Sequence, residues 1–407
     1  MKIRSSLVWL HRWVGLLMAI FLAIVGLTGS ILAFKMDVER MLTPELFASI
    51  PYPDARELDL ATLAKMAEKA EPRIRVNYFS VHDDRVELAV SPRTDPATGK
   101  PYALDQHEMF LDPWTGKELG HGRQSTYAKI IPFIYDLHMN LALGSLGAWI
   151  LGIVALAWTI DTFYAIYLTF PIVLSRFLAR WKIAWKIKWP ASPYRLNIDL
   201  HRASGLWFAP LLFIFAWSSV MFNLSTVYDW TTDKIFGMPL DMRETWLKTL
   251  HPSHPSENPK LNWHEALVKS QHYIDDIAKK EGITDIRPFG LAYISDPGVY
   301  SYDVESSINI SKGIWTGGLG VWVDGDTGEL QKVFYPTEDE PALALGTWLY
   351  TLHFANLFGW LAYRILVCAL GLVIVVISVT GIYIWWIKHR ARLMIRDRRK
   401  TNYGMQV

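Results

Sequence analysis

The chain has 407 residues, 51% of them apolar, yet its mean hydropathy is only +0.15, which suits a membrane protein with large water-exposed parts. Its single cysteine, Cys368, excludes an internal disulfide, a C-x-x-C metal knuckle and a C-x-x-C-H attachment site, so any haem would be held non-covalently. A net charge of +2 gives no reason to expect nucleic acid as a partner, while nineteen tryptophans and eighteen tyrosines suit the aromatic belts of a membrane interface.

The first apolar stretch, 7–34, opens with Leu10-His11-Arg12-Trp13-Val14-Gly15. It is longer than a signal peptide and no A-x-A-like site follows, so the expectation is an uncleaved anchor. Residues 35–133 then read as a water-exposed α+β segment. A helix is expected at Ala61–Glu71 and strands at Ile74–Val81 and Arg85–Val90. Met109-Phe110-Leu111 leads into the turn Asp112-Pro113-Trp114-Thr115-Gly116, where Asp caps and Gly supplies a positive φ. The second apolar segment, 134–174, begins Tyr135-Asp136-Leu137-His138. A basic loop follows at 175–198, with Arg176, Arg180, Lys182, Lys186, Lys188 and Arg195.

The third stretch, 199–224, begins Leu200-His201-Arg202-Ala203-Ser204-Gly205. A second α+β segment, 225–340, carries an amphipathic helix from His264 to Glu281 and strand-like runs near Pro288–Ile294 and Tyr300–Val304. It ends in Val321-Trp322-Val323 and the turn Asp324-Gly325-Asp326-Thr327-Gly328. The fourth stretch, 341–387, contains Tyr350-Thr351-Leu352-His353, and a basic tail completes the chain at 388–407. L-H-R-x-x-G, Y-x-L-H and D-x-x-T-G therefore each occur twice, in the same order, as an internal duplication would leave them. The two short basic segments place both termini in the cytoplasm and the two α+β segments outside.

Each apolar stretch exceeds the roughly 20 residues that span a bilayer. With alternating direction, His11 and His201 lie near one membrane face and His138 and His353 near the other. A lone histidine at a helix end is usually an interfacial polar residue. Four at paired depths in repeated contexts instead suggest axial ligands, each partner reaching across a flat porphyrin from a facing helix. Gly15 and Gly205 stand one turn beyond their histidines, where they would leave room for a ring edge or let two helices pack closely. Gly144 and Gly359 carry less weight. Arg364 is counted three turns beyond His353 and is expected to meet a haem propionate or a carboxylate such as Asp161. Arg12 and Arg202 could hold propionates, or simply follow the positive-inside rule. His251-Pro252-Ser253-His254, His264 and His272 are read as solvated, and Gly317-Gly318-Leu319-Gly320 lacks the context of a nucleotide fingerprint.

The His-led helices and the Asp-Thr-Gly hairpins resemble the PepSY-associated transmembrane family, in particular its inner-membrane di-haem reductases of ferric siderophores. The resemblance covers nearly the whole chain. It implies a four-helix transmembrane bundle with two α+β PepSY-like periplasmic domains and two non-covalent, bis-histidine b haems. It further implies release of iron from a siderophore by reduction, with electrons from a quinol or cytoplasmic reductase, in contact with membrane lipid at the bacterial inner membrane. Trp114 and Trp315 would help to dock the chelate. The rival reading is a non-enzymatic PepSY-type regulator of a peptidase or partner protein, and a weaker one a proton-coupled permease using Arg364 and Asp161.

Overall fold

The computed structural model describes residues 2–52, 54–104, 107–121, 129–237, 258–312, 318–337 and 341–404. In chain order the first half holds α1 (Lys2–Leu32), α2 (Lys35–Leu42), α3 (Leu60–Ala70), β1 (Ile74–His82), β2 (Arg85–Pro92), β3 (Glu108–Leu111), β4 (Glu118–His121), α4 (Ile130–Asn140) and α5 (Ser145–Thr169). Then come α6 (Phe177–Trp181), α7 (Pro193–Trp207), α8 (Ala209–Asn223), α9 (Ser225–Phe236) and α10 (Trp263–Glu281). The chain closes with β5 (Arg287–Ile294), β6 (Val299–Glu305), β7 (Leu319–Asp324), β8 (Leu330–Phe334), α11 (Pro341–His353) and α12 (Leu361–Gly404). These elements form two compact units. A helical unit comprises 1–33, 133–228 and 364–407, and a sheet unit comprises 34–132 and 229–363.

In the helical unit three helices are long and apolar enough to cross a membrane: Ile3–Leu32, Ser145–Thr169 and Leu361–Ile395. The expected third span is instead a bent pair, α7 and α8, meeting at 71°. Pro210 explains the break, because it has no N–H to donate and its ring collides with the carbonyl four residues earlier. The expected second span also divides. His138 sits at the end of α4 rather than at the head of a continuous helix. Leu141, Ala142 and Gly144 then adopt positive φ before α5 starts. The fourth behaves in the same way: α11 ends at His353, and Ala355, Phe358 and Gly359 have positive φ before α12. This corrects the placing of Arg364 three turns along one helix from His353, since the two residues lie on different helices.

One close helix crossing in this unit is made by α1 and α12. A Cβ added at Gly26 would lie 2.7 Å from the Gly371 carbonyl oxygen, and Ser30 Oγ donates to the Cys368 carbonyl at 2.9 Å. Small residues let the backbones approach where burying apolar surface gives little driving force.

The two α+β segments, expected as separate domains, share one antiparallel sheet of eight strands in the order β4-β3-β2-β1-β5-β6-β7-β8. The first strands of the two halves join it, with Tyr78 opposite Ala292, Phe79 opposite Leu291 and Ser80 opposite Gly290. Each half runs helix and then four strands. Leu63, Ile74, Phe79, Leu88, Ile274 and Leu291 are fully buried among the core side chains between the sheet and helices α3 and α10. Burying each stabilises by roughly 1.5–3 kcal/mol.

Both hairpins follow the expected turn chemistry. Asp112 Oδ1 accepts from the N–H groups of Trp114 and Thr115, at 2.8 and 3.1 Å, and Gly116 has φ +67°. Asp324 Oδ1 accepts from Asp326 and Thr327, at 2.9 and 2.7 Å, and Gly328 has φ +72°. The sheet unit also buries Arg85, which donates to Glu39 at 2.7 Å between the rings of Phe47 and Phe110.

Candidate functional site

Helices α1 and α7 bring His11 and His201 together, with ring centroids 6.2 Å apart and planes at 60°. A metal–imidazole bond is about 2 Å and the ring centroid lies about 1 Å behind its nitrogen, so two imidazoles on opposite sides of one ion have centroids ~6 Å apart. The remaining ring nitrogens are held by the protein. His11 Nδ1 donates to both oxygens of Asp161 on α5, at 3.0 and 2.9 Å. His201 Nδ1 donates to the Ile377 carbonyl of α12 at 3.0 Å, with Thr380 Oγ1 at 3.2 Å. A carboxylate and a carbonyl can only accept, so each neutral ring keeps its proton on Nδ1 and presents the lone pair of Nε2. Hydrogen bonds that fix the tautomer in this way are the usual support of a metal-bound histidine.

His138 is held in the manner of His201. Its Nδ1 lies 3.0 Å from Thr28 Oγ1, and its ring hydrogen-bonds the Val25 carbonyl, both on α1. Thr28 itself donates to the Ile24 carbonyl at 2.8 Å, and Thr380 to the Val376 carbonyl at 2.6 Å. The next residue is a glycine in each case. A Cβ at Gly29 would come within 2.9 Å of His138 Cε1, and one at Gly381 within 3.2 Å of His201 Cε1. Val25-x-x-Thr28-Gly29 and Ile377-x-x-Thr380-Gly381 are thus two copies of one histidine dock. The two Thr-Gly pairs lie on helices that the other repeats do not match with each other, and sequence reasoning passed over them. His11 stands 14 residues before Val25 on the same helix. At about 1.5 Å per residue the two histidine levels on α1 are ~21 Å apart.

His353 belongs to the sheet unit, where it closes α11 and its ring centroid lies 6.1 Å from that of Phe354. Its pairing with His138 rests on the sequence repeat.

The glycines divide by role. A Cβ at Gly15 or Gly205 would meet no atom within 4 Å, unlike the close contacts of Gly26 and Gly371. The lack of a side chain at Gly15 and Gly205 therefore does not serve helix packing, and it leaves open space one turn from His11 and His201. Gly144 and Gly359 serve the backbone, with φ +60° and +66°.

Of the arginines, Arg12 has its Nε buried with no hydrogen-bond partner and its guanidinium 5.6 Å from the Trp13 ring centroid. An acidic group such as a propionate would satisfy that donor. Arg202 donates to Asp199 at 2.8 Å and to the carbonyls of Ile183 and Ala184. Asp199 is fully buried and also accepts from Arg195 at 2.9 Å and from the Lys188 N–H at 3.3 Å. The basic loop is folded around this one carboxylate, which sequence reasoning missed. Arg364 Nε donates to the Ala33 carbonyl at 3.0 Å, at the C-terminal end of α1, where backbone acceptors are left over. Asp161 is therefore the partner of His11 rather than of Arg364.

His264 and His272 lie exposed on α10. His251, His254, Trp315 and Gly317 fall outside the described residues. Trp114 is half-buried in its hairpin. Among the described residues no group of three or more His, Cys, Asp or Glu could hold a metal ion. The pair His11 and His201 fits an ion whose other ligands come from a macrocycle.

No curated protein matches the sequence. A family model described as the PepSY-associated TM region matches residues 8–388. With three spans by length and composition and one such match across nearly all its length, the chain is a membrane protein that belongs to the PepSY-associated TM family.

Proposed function

We propose that this protein is a di-haem b reductase that carries electrons across the bacterial inner membrane to a ferric siderophore and releases Fe(II). The observation that carries the reading is the pair His11 and His201, 6.2 Å apart with both Nδ1 atoms held by protein acceptors. These two residues would hold one b haem, with Arg12 beside it. The second, on His138 and His353, rests on the repeat of Y-x-L-H, which with the other repeated motifs is the mark of an internal duplication. Haem bound in this way supplies a one-electron carrier.

The chain's own residues fix ligand orientation, keep water from the helix interior and separate the two levels. An apolar cluster of Leu212, Leu370 and Ile374, with Trp158, Phe208 and Phe215 packed on it, lines that interior. The substrate needs neither acid nor base. A hydroxamate chelate holds Fe(III) through hard oxygen ligands, and one electron from a quinol or cytoplasmic reductase yields Fe(II), which is held far less tightly. The basic segments near 175–198 and 388–407 support cytoplasmic termini, with the His138 end facing the chelate.

Oriented vesicles with donor inside and ferric hydroxamate outside test this reading. External Fe(II) is expected, and it should vanish when either His201 or His138 is replaced by Ala. Turnover that survives both replacements would contradict it.

A further inference from the structure

Asp161 is a carboxylate in a membrane-crossing helix, with its side chain 8% exposed. Such a group is costly there and has a functional reason by default. Among the described residues it is hydrogen-bonded by His11 alone, whose Nδ1–H both of its oxygens accept. The opposite side of the pair is built differently. Asp161 lies 16 residues past the first residue of α5, Ser145, and Ile377 lies 16 past the first of α12, Leu361. At the same level of two helices, one histidine therefore meets a carboxylate and the other a backbone carbonyl with a threonine hydroxyl. His138 also has a carbonyl and a threonine hydroxyl. A full negative charge on Nδ1–H pulls the proton away from the ring more strongly than a neutral acceptor does. It makes Nε2 a better electron donor, and that favours the ferric over the ferrous ion.

We propose that Asp161 is a positioning residue that, through His11, makes the His11/His201 haem the lower-potential of the two. Electron transfer toward the His138 end is then downhill. This rests on the di-haem reading and deepens it by giving the chain a direction. The electron balance is unchanged: one electron leaves the donor and one reaches Fe(III) of the chelate. Neither Arg12 nor Arg364 offsets the charge by a hydrogen bond to Asp161, since Arg364 donates to the Ala33 carbonyl and Arg12 Nε is unpartnered.

The test is a spectroelectrochemical titration of the purified full-length protein, with haem counted per chain. The wild type is expected to titrate in two steps. Asp161→Asn should raise the lower step and leave the upper one in place, and Asp161→Glu should bring the lower step back toward its original potential. His201→Ala supplies an arm that does not depend on the Asn variant folding. Its remaining haem should titrate at the upper of the two wild-type potentials. Two haems with an unmoved lower step in Asp161→Asn, or a lower-potential haem surviving in His201→Ala, would overturn the proposal and leave the di-haem reading standing. A colourless wild type would overturn both.

Discussion

In the sheet unit the side chains with no exposure are mostly apolar: Leu63, Ile74, Phe79, Leu88 and Leu291. In the helical unit Leu17 is 71% exposed and Ile153 60%, whereas Asp161, Thr28, Ser30 and Thr380 are each 5–6% exposed. One unit is ordered by removing apolar surface from water. In the other the apolar surface faces lipid, where burying it gains little, and polar contacts decide which helix meets which. The physical contrast teaches where each unit is vulnerable. The sheet should respond to lost volume, and the helices to lost hydrogen bonds or to a methyl in the wrong place.

Replacing His11 or His201 by Ala is expected to have the largest effect, complete loss of one haem of two, read as haem per chain in the purified protein. Next come the histidine docks. Gly29→Val should displace His138, and Gly381→Val should displace His201, because their added carbons would fall within 2.9 and 3.2 Å of the rings. Each should cost one haem, and Gly15→Ala should cost far less. A Gly15→Ala variant as depleted as Gly29→Val would show that the two kinds of glycine are not distinct. In the sheet unit Leu88→Ala or Leu291→Ala should destabilise by roughly 2–5 kcal/mol, whereas Leu17→Ala, on the lipid-facing side, should stay within about 0.5 kcal/mol. Thermal unfolding of the full chain in detergent compares them.

Smaller effects come from two titrating groups in the sheet unit. Burial pushes the Asp303 carboxyl up to about 7, offset only in part by a hydrogen bond from Ser301. The folded chain then binds the extra proton between about pH 4 and 7, so this group's contribution is lost as pH rises through that window. Burial, with Arg85 and Lys35 nearby, pushes His82 down to about 4. Here the unfolded chain binds the proton between about 4 and 6.5, so stability is lost as pH falls. The two oppose each other. Asp303→Asn should leave a stability that falls toward pH 4, and His82→Gln one that falls toward pH 7. Identical profiles in both variants would contradict these assignments. Smallest, Asp324→Ala should cost about 1–2 kcal/mol by removing the hydrogen bonds that close its hairpin.

The sheet unit was the more legible in sequence because alternation and turn residues are local signals. The strands Ile74–Val81 and Arg85–Val90, the helix from His264 and both Asp-Thr-Gly turns fall within a residue or two of where the structure has them. Edge-to-edge joining of β1 and β5 was not legible, since pairing between residues as far apart as Tyr78 and Ala292 leaves no local mark. Along the apolar stretches three interruptions were hidden, at 141–144 and at Phe208 in the helical unit and at 354–360 in the sheet unit, because apolar composition continues through a bend. Pro210 marked one of them. Asp161 was noticed only as one partner, beside a haem propionate, that could satisfy Arg364, and the helical spacing from His353 to Arg364 was counted across a break. The Thr-Gly docks went unread because threonine and glycine are ordinary in membrane helices until a histidine is placed against them.

The central claim is that paired histidines hold two haems in this chain, and the visible spectrum of the protein purified from haem-replete cells tests it most directly. Oxidised protein should show a Soret band, dithionite should bring up a b-type α-band, and acid extraction should release two unmodified haems per chain. A colourless preparation, or one whose haem content is unchanged when His11 and His201 are both replaced by Ala, would contradict it.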